Sequence, residues 1–406
     1  MNATLTEEQQ SIVVANDERI LVNAYAGTGK TETTANRVAR LVNDGRKVLL
    51  LCFTRAAQRQ LSARLETMGV RAKVSTIHSF AHDVLSRWHE RHGAVMPKIV
   101  GPLFMRRLLI QAGFQQSTSN MEAIQRASTF IANGIRSGFP ESFEFDGRTA
   151  RALVELYALE KTRTNQMDYD DLVSMATEIV NAWPGEIIID EAQDLSNIQL
   201  RLLDSLTGEN TRQSWIGDRH QSIYGFAGVN SELFDTRRDW AQYTLSKSFR
   251  STREVLTIAN QLIPGSIQSD FIGGRTEVRT RTDFDMREDL ISWCRGNDAI
   301  LARTNAELEI IARTLSYNKV DHSRLAFSAN DAIPFHANMP TALMTIHGAK
   351  GLEWERVAVV GLNSRSFGMM EQTAEERRLF YVAATRAKNE LLLFTQDGDL
   401  PFEVEA

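Results

Sequence analysis

An aliphatic run, Ile20-Leu21-Val22-Asn23-Ala24, leads through Tyr25-Ala26-Gly27-Thr28-Gly29 into Lys30-Thr31 and then a long polar-apolar pattern ending near Val42. That order reads as strand, small-residue loop, helix. Gly27 and Gly29 let the backbone curl so that the loop from Ala26 through Thr28 turns its N–H groups, with the helix N-terminus behind them, toward an anion. Lys30 supplies charge and Thr31 a hydroxyl for Mg²⁺. The first glycine of the usual phosphate-loop pattern is replaced by Ala24, a small side chain that a turn tolerates. A nucleotide phosphate site on a parallel α/β sheet is the expectation, and it limits what the rest of the chain can be.

Length permits an elaborate machine. A chain of 406 residues, 43% hydrophobic and 24% charged, has ordinary globular values and room for two or three domains. Its net charge of -5 excludes coating of nucleic acid by bulk charge, so any strand contact must come from a local groove. Cys52 and Cys294 lie far apart without metal-type spacing, which fits a reducing cytosol and a cytoplasmic location. Met1 to Glu8 lacks the pattern of a leader, and no apolar run reaches the ~20 residues of a membrane span.

Upstream of the loop, Leu5-Thr6-Glu7-Glu8-Gln9 begins a capped helix, and the Gln9 amide can either belong to that helix end alone or read an adenine edge. Lys47 to Phe53 is a continuous apolar strand ending in Thr54-Arg55, and Lys73 to Phe80 is a short strand entering a helix. Loops at carboxyl strand ends are where such sheets bind ligands, which puts Phe53, Thr54, Arg55 and His78 on a working edge; a core Phe53 and a helix-capping His78 are the plainer alternatives. From Phe80 to about Asn165 the apolar spacing turns helical, an insertion whose Arg87, Arg91, Lys98, Arg106 and Arg107 read as a solvated face before a polyanion path.

Ile187-Ile188-Ile189 then delivers Asp190 and Glu191, two adjacent carboxylates of the kind that hold a metal and polarise water in an Mg·ATP hydrolase. Another strand end at Trp215-Ile216-Gly217-Asp218 precedes Gln221, Tyr224 and Phe226: a glutamine for the terminal phosphate and two aromatics able to stack on bases. A second α/β unit begins near Tyr243, with strands at Ala299 to Ala302, Ala342 to Ile346 and Val357 to Val360 alternating with helices. It has no phosphate loop. Taken singly, its Arg250 and Arg386 are ordinary surface arginines, or else groups that reach another lobe's phosphates.

In order and spacing, these segments resemble the UvrD/Rep-type superfamily 1 DNA helicases: Leu5 to Gln9 is similar to their Q motif, Ala24 to Thr31 to motif I, Cys52 to Ala57 to motif Ia, and Ser75 to Phe80 to the Thr-x-His-Ser motif. Asp168 to Leu172, Ile189 to Asp194 (motif II), Gly217 to Gly228 (motif III), Leu245 to Ser251 (motif IV), Ile300 to Asn305 (motif IVa), Met344 to Trp354 (motif V) and Glu375 to Ala387 (motif VI) extend the resemblance over nearly the whole chain. It implies two RecA-like parallel-sheet lobes with ATP between them, the first lobe spanning 1–80 and 166–241 with a helical insertion at 81–165, the second spanning 242–406. It further implies that Gln9 reads adenine, Phe249 stacks on it, Lys30 and Thr31 hold phosphate and Mg²⁺, and Asp190 and Glu191 are metal and base residues. Gln221 senses the γ-phosphate, Arg250 and Arg386 act as arginine fingers, and Glu353 contacts the sugar and phosphate side. Phe53, His78, Tyr224, Phe226 and His347 face a single DNA strand moved 3′ to 5′.

The chain departs from the family at three places. Gly225-Phe226-Ala227 replaces the usual tryptophan flanked by arginine, Glu32 stands where relatives often carry an arginine behind the adenine, and the interval from Asn305 to Thr341 has room only for a helix and short connections. The large second accessory domain is therefore expected to be missing, which favours translocation over unwinding and dependence on a protein partner, a nuclease or another. After motif VI too little chain remains for a nuclease of its own. A nucleotide-switched module that remodels or loads a partner is the rival reading.

Overall fold

The computed structural model describes residues 4–114, 151–225, 232–324, 339–362 and 374–395, together with Val229 and a few positions between 115 and 150. Two six-stranded parallel sheets organise the chain, one in each RecA-like lobe. The first runs in the order Ala241–Leu245, Arg19–Ala24, Arg212–Gly217, Glu186–Asp190, Val48–Cys52, Lys73–Thr76. The second runs Arg275–Thr280, Ala387–Thr395, Trp354–Val359, Asp298–Ala302, Thr341–Thr345, His322–Arg324. Every adjacent pair within both sheets is parallel.

Continuous aliphatic runs are what such a sheet needs, because helices cover both faces and successive side chains point to opposite ones. Leu49, Leu51, Ile187 and Ile189 face one way and meet Leu85, Leu172 and Leu202 of the helices Ile77–His92, Tyr169–Thr177 and Asn197–Ser205. Val48, Leu50, Cys52 and Ile188 face the other way and meet Ile12, Val38, Leu41 and Leu61 of Glu7–Val14, Lys30–Asn43 and Arg55–Thr67. Truncating one such residue, Leu50 to alanine for example, is expected to cost about 2–5 kcal/mol. In the second lobe Leu301, Met344, Val357 and Leu391 pack on Arg253–Leu262 and Ala374–Ala384, while Ile300, Leu343, Ala358 and Leu392 pack on Asp283–Trp293 and Asn305–Tyr317.

The strand Ala241–Leu245 pairs with Arg19–Ala24, so the first sheet runs a few residues past the expected boundary at 241. Its alternating, half-exposed pattern fits an edge position. Between the strands Asp298–Ala302 and Thr341–Thr345 lie one helix, Asn305–Tyr317, and the strand His322–Arg324, with 325–338 outside the described residues. In the inserted segment, Pro102–Gln111 and Arg151–Arg163 share a core of Met105, Leu108, Leu109 and Leu153. Arg87, Arg91, Lys98, Arg106 and Arg107 are all exposed.

Two features carry the fold toward the site. Buried Arg37 pairs with Glu186 at 3.0 Å and donates to the carbonyls of Ile12 and Ala15, fixing the N-terminal helix against the first sheet. And the first lobe's Tyr25, Ala26 and Ile223 lie inside the apolar core built on the second sheet. The lobes thus meet through packed side chains at the phosphate loop itself.

Candidate nucleotide and strand site

The phosphate loop needs its glycines for space as well as for conformation. Gly27 and Gly29 have φ of +75° and +77°, and a Cβ on Gly27 would stand 2.6 Å from the Arg250 Cβ, one on Gly29 2.6 Å from the Gln9 amide nitrogen. Ala24 closes the strand before the loop and is not among the residues of positive φ, so a methyl group fits where the usual pattern has glycine. The helix Lys30–Asn43 starts directly from Gly29.

Lys30 pairs with Glu191 at 2.6 Å. Burial opposes the lysine's charge, but Glu191 and Asp190 outweigh it and raise the pKa. Burial alone would raise that of Glu191, yet Lys30, Lys350 and the Gln193 amide hold it below the usual range, so the carboxylate stays ionised. Asp190 moves the other way, pushed up by burial and by Glu191. Its Oδ1 is buried without a hydrogen-bond partner, an orphaned oxygen that a divalent cation with water and phosphate ligands would satisfy. Glu191 sits at φ 57°, ψ 42°, a left-handed conformation that costs a non-glycine residue about 1–2 kcal/mol. At a strand end this turn brings the carboxylate back against Lys30.

Gln9 does more than end its helix. Its backbone N–H and side-chain oxygen complete a capping box with Thr6, at 3.2 and 3.0 Å, and its Nε2 donates to the Thr28 carbonyl at 3.2 Å. Beside Gly29 stands the Phe249 ring, 46% exposed, with its backbone N–H bonded to the Gly27 carbonyl at 2.8 Å. Glu32 is taken up by Arg64, at 2.8 and 2.6 Å, and by Asn36 at 2.8 Å.

From the second lobe, Arg250 pairs with Glu353 at 2.5 Å and donates to the Thr385 carbonyl, and Lys388 also reaches Glu353 at 3.2 Å. Arg386 is fully buried; it donates to Val382, Leu352 and Thr385 and lies 3.5 Å from the Gln221 side-chain oxygen. Burial and nearby Arg250 lower its pKa to about 9, which leaves it protonated at neutral pH. Gln221 in turn donates to Asp218 at 2.7 Å.

Three of the expected strand-facing residues come together. The rings of Phe53 and Tyr224 are stacked at 6.3 Å and 17°, and His347 of the second lobe lies 6.4 Å from Tyr224. His78 is elsewhere, edge-on to exposed Tyr169 at 5.1 Å. Thr54 caps the helix Arg55–Thr67 by accepting from the Ala57 N–H, and Arg55 is exposed. Phe226 lies outside the described residues.

Sequence reasoning had singled out neither Lys350 nor Tyr381. Lys350 donates to both Asp194 carboxylate oxygens and to the Gln221 carbonyl, and sits 4.7 Å over the Tyr224 ring. The Gln193 amide bridges Asp194 to Glu191, so polar contacts run unbroken from the stacked rings to the Lys30 partner. Both residues stand inside motifs V and VI, but nothing local marks a buried lysine or phenol as a link between lobes.

The UvrD/REP helicase N-terminal domain matches residues 5–241, more than half of the chain, and the UvrD-like helicase C-terminal domain matches 334–397. The chain belongs to the UvrD/REP helicase family. This UvrD/REP-family chain is 25% identical to a probable DNA helicase of Mycoplasma pneumoniae, a match covering 96% of the chain and 83% of that protein. It is 23% identical to the ATP-dependent DNA helicase PcrA of Leuconostoc citreum over 77% of the chain, and 26% identical to the ATP-dependent DNA helicase UvrD1 of Mycobacterium tuberculosis over 78%. It spans about half the length of these two relatives, 48% and 46%. Among the described residues no helix is long and apolar enough to cross a membrane.

Proposed function

We propose that the chain is a DNA-stimulated ATPase that moves along single-stranded DNA in the 3′ to 5′ direction the family resemblance implies. The observation that carries this reading is the Gln221–Arg386 contact, which brings a second-lobe arginine onto the lobe that holds the Lys30–Glu191 pair. Gln9 and Phe249 hold the adenine, and Lys30 and the loop amides hold the phosphates. Thr31 and Asp190 would hold Mg²⁺, which when bound neutralises phosphate charge. Glu191 accepts the proton of the attacking water once the phosphates draw Lys30 away from it. Arg386 and Arg250, second-lobe groups, offset charge on the departing phosphate only when the lobes are closed, an effect worth about 10³ to 10⁵ in rate for such fingers.

The strand lies along Phe53, Tyr224 and His347, a row shared by both lobes, so lobe motion changes its grip. The contacts from Tyr224 through Lys350, Asp194 and Gln193 to Glu191 support coupling of that grip to hydrolysis.

The test is ATP turnover with and without an oligonucleotide, followed by displacement of streptavidin from biotin at either DNA end. Stimulation together with faster displacement from the 5′ end is expected. Stimulation with no displacement from either end would leave a nucleotide-switched binding module, and no turnover at all would overturn the reading.

A further inference from the structure

Tyr381 of the helix Ala374–Ala384 is fully buried, and its hydroxyl reaches across to the other lobe. It accepts from the Ala26 N–H of the phosphate loop at 3.2 Å and donates to Asp218 Oδ2 at 2.9 Å. The same Asp218 oxygen accepts from the Gln221 amide at 2.7 Å, while Oδ1 takes the His220 N–H at 3.0 Å. The phenol ring is edge-on to His220 at 6.0 Å, and His220 stacks on Tyr25 at 5.8 Å and 7°. Tyr25 closes the circuit by donating to the Pro264 carbonyl of the second lobe at 3.3 Å.

A phenylalanine would fill this space equally well, so the oxygen calls for its own explanation. Packing would be served by one partner; this hydroxyl has two, from separate first-lobe segments, and each leads to a group that meets phosphate. Burial and Asp218 raise the phenol's pKa well above its usual value, so it remains a donor to that carboxylate.

We propose that the Tyr381 hydroxyl is a positioning group that sets the register of the second lobe on the phosphate loop and on Gln221, so that Arg386 arrives with the sensor already aimed. This rests on the ATPase reading above. Arg386 follows Tyr381 by little more than one helical turn of sequence, so whatever fixes the tyrosine fixes the approach of the arginine. Asp218 receives the tyrosine and Gln221 on one oxygen, and the sensor's orientation therefore depends on the hydroxyl being present.

The experiment compares the parent chain with Y381F, D218N and the double variant. Four quantities are read: steady-state kcat and KM with oligonucleotide, affinity for a fluorescent ATP analogue, and amide exchange of the peptide carrying Ala26. In Y381F the Ala26 amide should exchange faster, nucleotide affinity should stay within about 2-fold, and kcat should fall about 10-fold, the loss of one buried hydrogen bond felt in the transition state. Because both substitutions act on the one Tyr381–Asp218 contact, their effects on kcat should be less than multiplicative in the double variant. Unchanged Ala26 exchange in Y381F, or losses that multiply in the double variant, overturns the proposal. A parent chain without turnover would sink the ATPase reading, while amide exchange would still decide whether Tyr381 holds the loop.

Discussion

Lys350 of the second lobe donates to both carboxylate oxygens of Asp194 in the first, at 2.7 and 2.6 Å, with the pair almost wholly buried. Burial pushes the Asp194 carboxyl up to about 6 even with the ammonium opposing it, so the aspartate depends on this partner. Lys350→Met should destabilise the chain by about 3–5 kcal/mol in urea unfolding, since it strands a buried carboxylate. Adding Asp194→Leu should recover most of that stability without recovering DNA-stimulated hydrolysis. Recovery of both would show that the pair serves packing alone.

The Lys30–Glu191 contact separates binding from chemistry. Lys30→Ala should abolish turnover and weaken ATP binding, because phosphate charge loses its partner. Glu191→Gln should bind ATP at near-parent affinity and hydrolyse it about 10²- to 10⁴-fold more slowly, the usual range for losing a general base. Single-turnover hydrolysis beside equilibrium nucleotide binding checks both, and a Glu191→Gln variant turning over at the parent rate would falsify the assignment of the base.

Gly29→Ala sets a new methyl group 2.6 Å from the Gln9 amide at a φ of +77°. The conformation alone costs about 1–2 kcal/mol, and relief requires Gln9 to move. Lower thermal stability and a raised KM for ATP are expected together. Ala24→Gly, which removes a buried methyl at the end of a regular strand, should lower stability by about 1 kcal/mol and leave the KM for ATP near the parent value.

His347 gives a dependence on pH. Burial, with Arg303 and Lys350 nearby, lowers its pKa to about 4, against a backbone contact to Ile223 that raises it. Between about pH 4 and 6.5 the unfolded chain therefore binds a proton that the folded chain refuses, and this contribution to stability is lost as pH falls through that window. Unfolding free energy measured from pH 7 to 4 should fall less steeply for His347→Asn than for the parent. Parallel curves would mean that the imidazole titrates normally.

What was legible in the sequence followed from short-range rules. Ile187-Ile188-Ile189 announces a strand covered on both faces, and the fold has it, with Asp190 closing that strand and Glu191 directly after it. Arg275–Thr280 escaped notice because it is an edge strand whose charged residues are half exposed, so neither apolar continuity nor clean alternation marks it. Ala241–Leu245 straddles the expected boundary at 241 for a similar reason, its pairing with Arg19–Ala24 being invisible locally. Lys350 and Tyr381 were hidden by distance, since their partners stand 156 and 163 positions away. A motif tells which residues gather at a strand end, but not which ones clasp across an interface.

The apolar core beneath the second sheet includes Tyr25, Ala26 and Ile223 from the first lobe. Dissecting the chain after Leu245 would therefore strip the cover from Tyr25 and Ala26 at the start of the glycine loop, and the remaining piece would expose the socket that those residues fill. Neither half is a clean module. Swapping one half for that of a relative should succeed only if these three positions travel with the lobe that receives them, which makes them the seam along which chimeras of this chain ought to be matched.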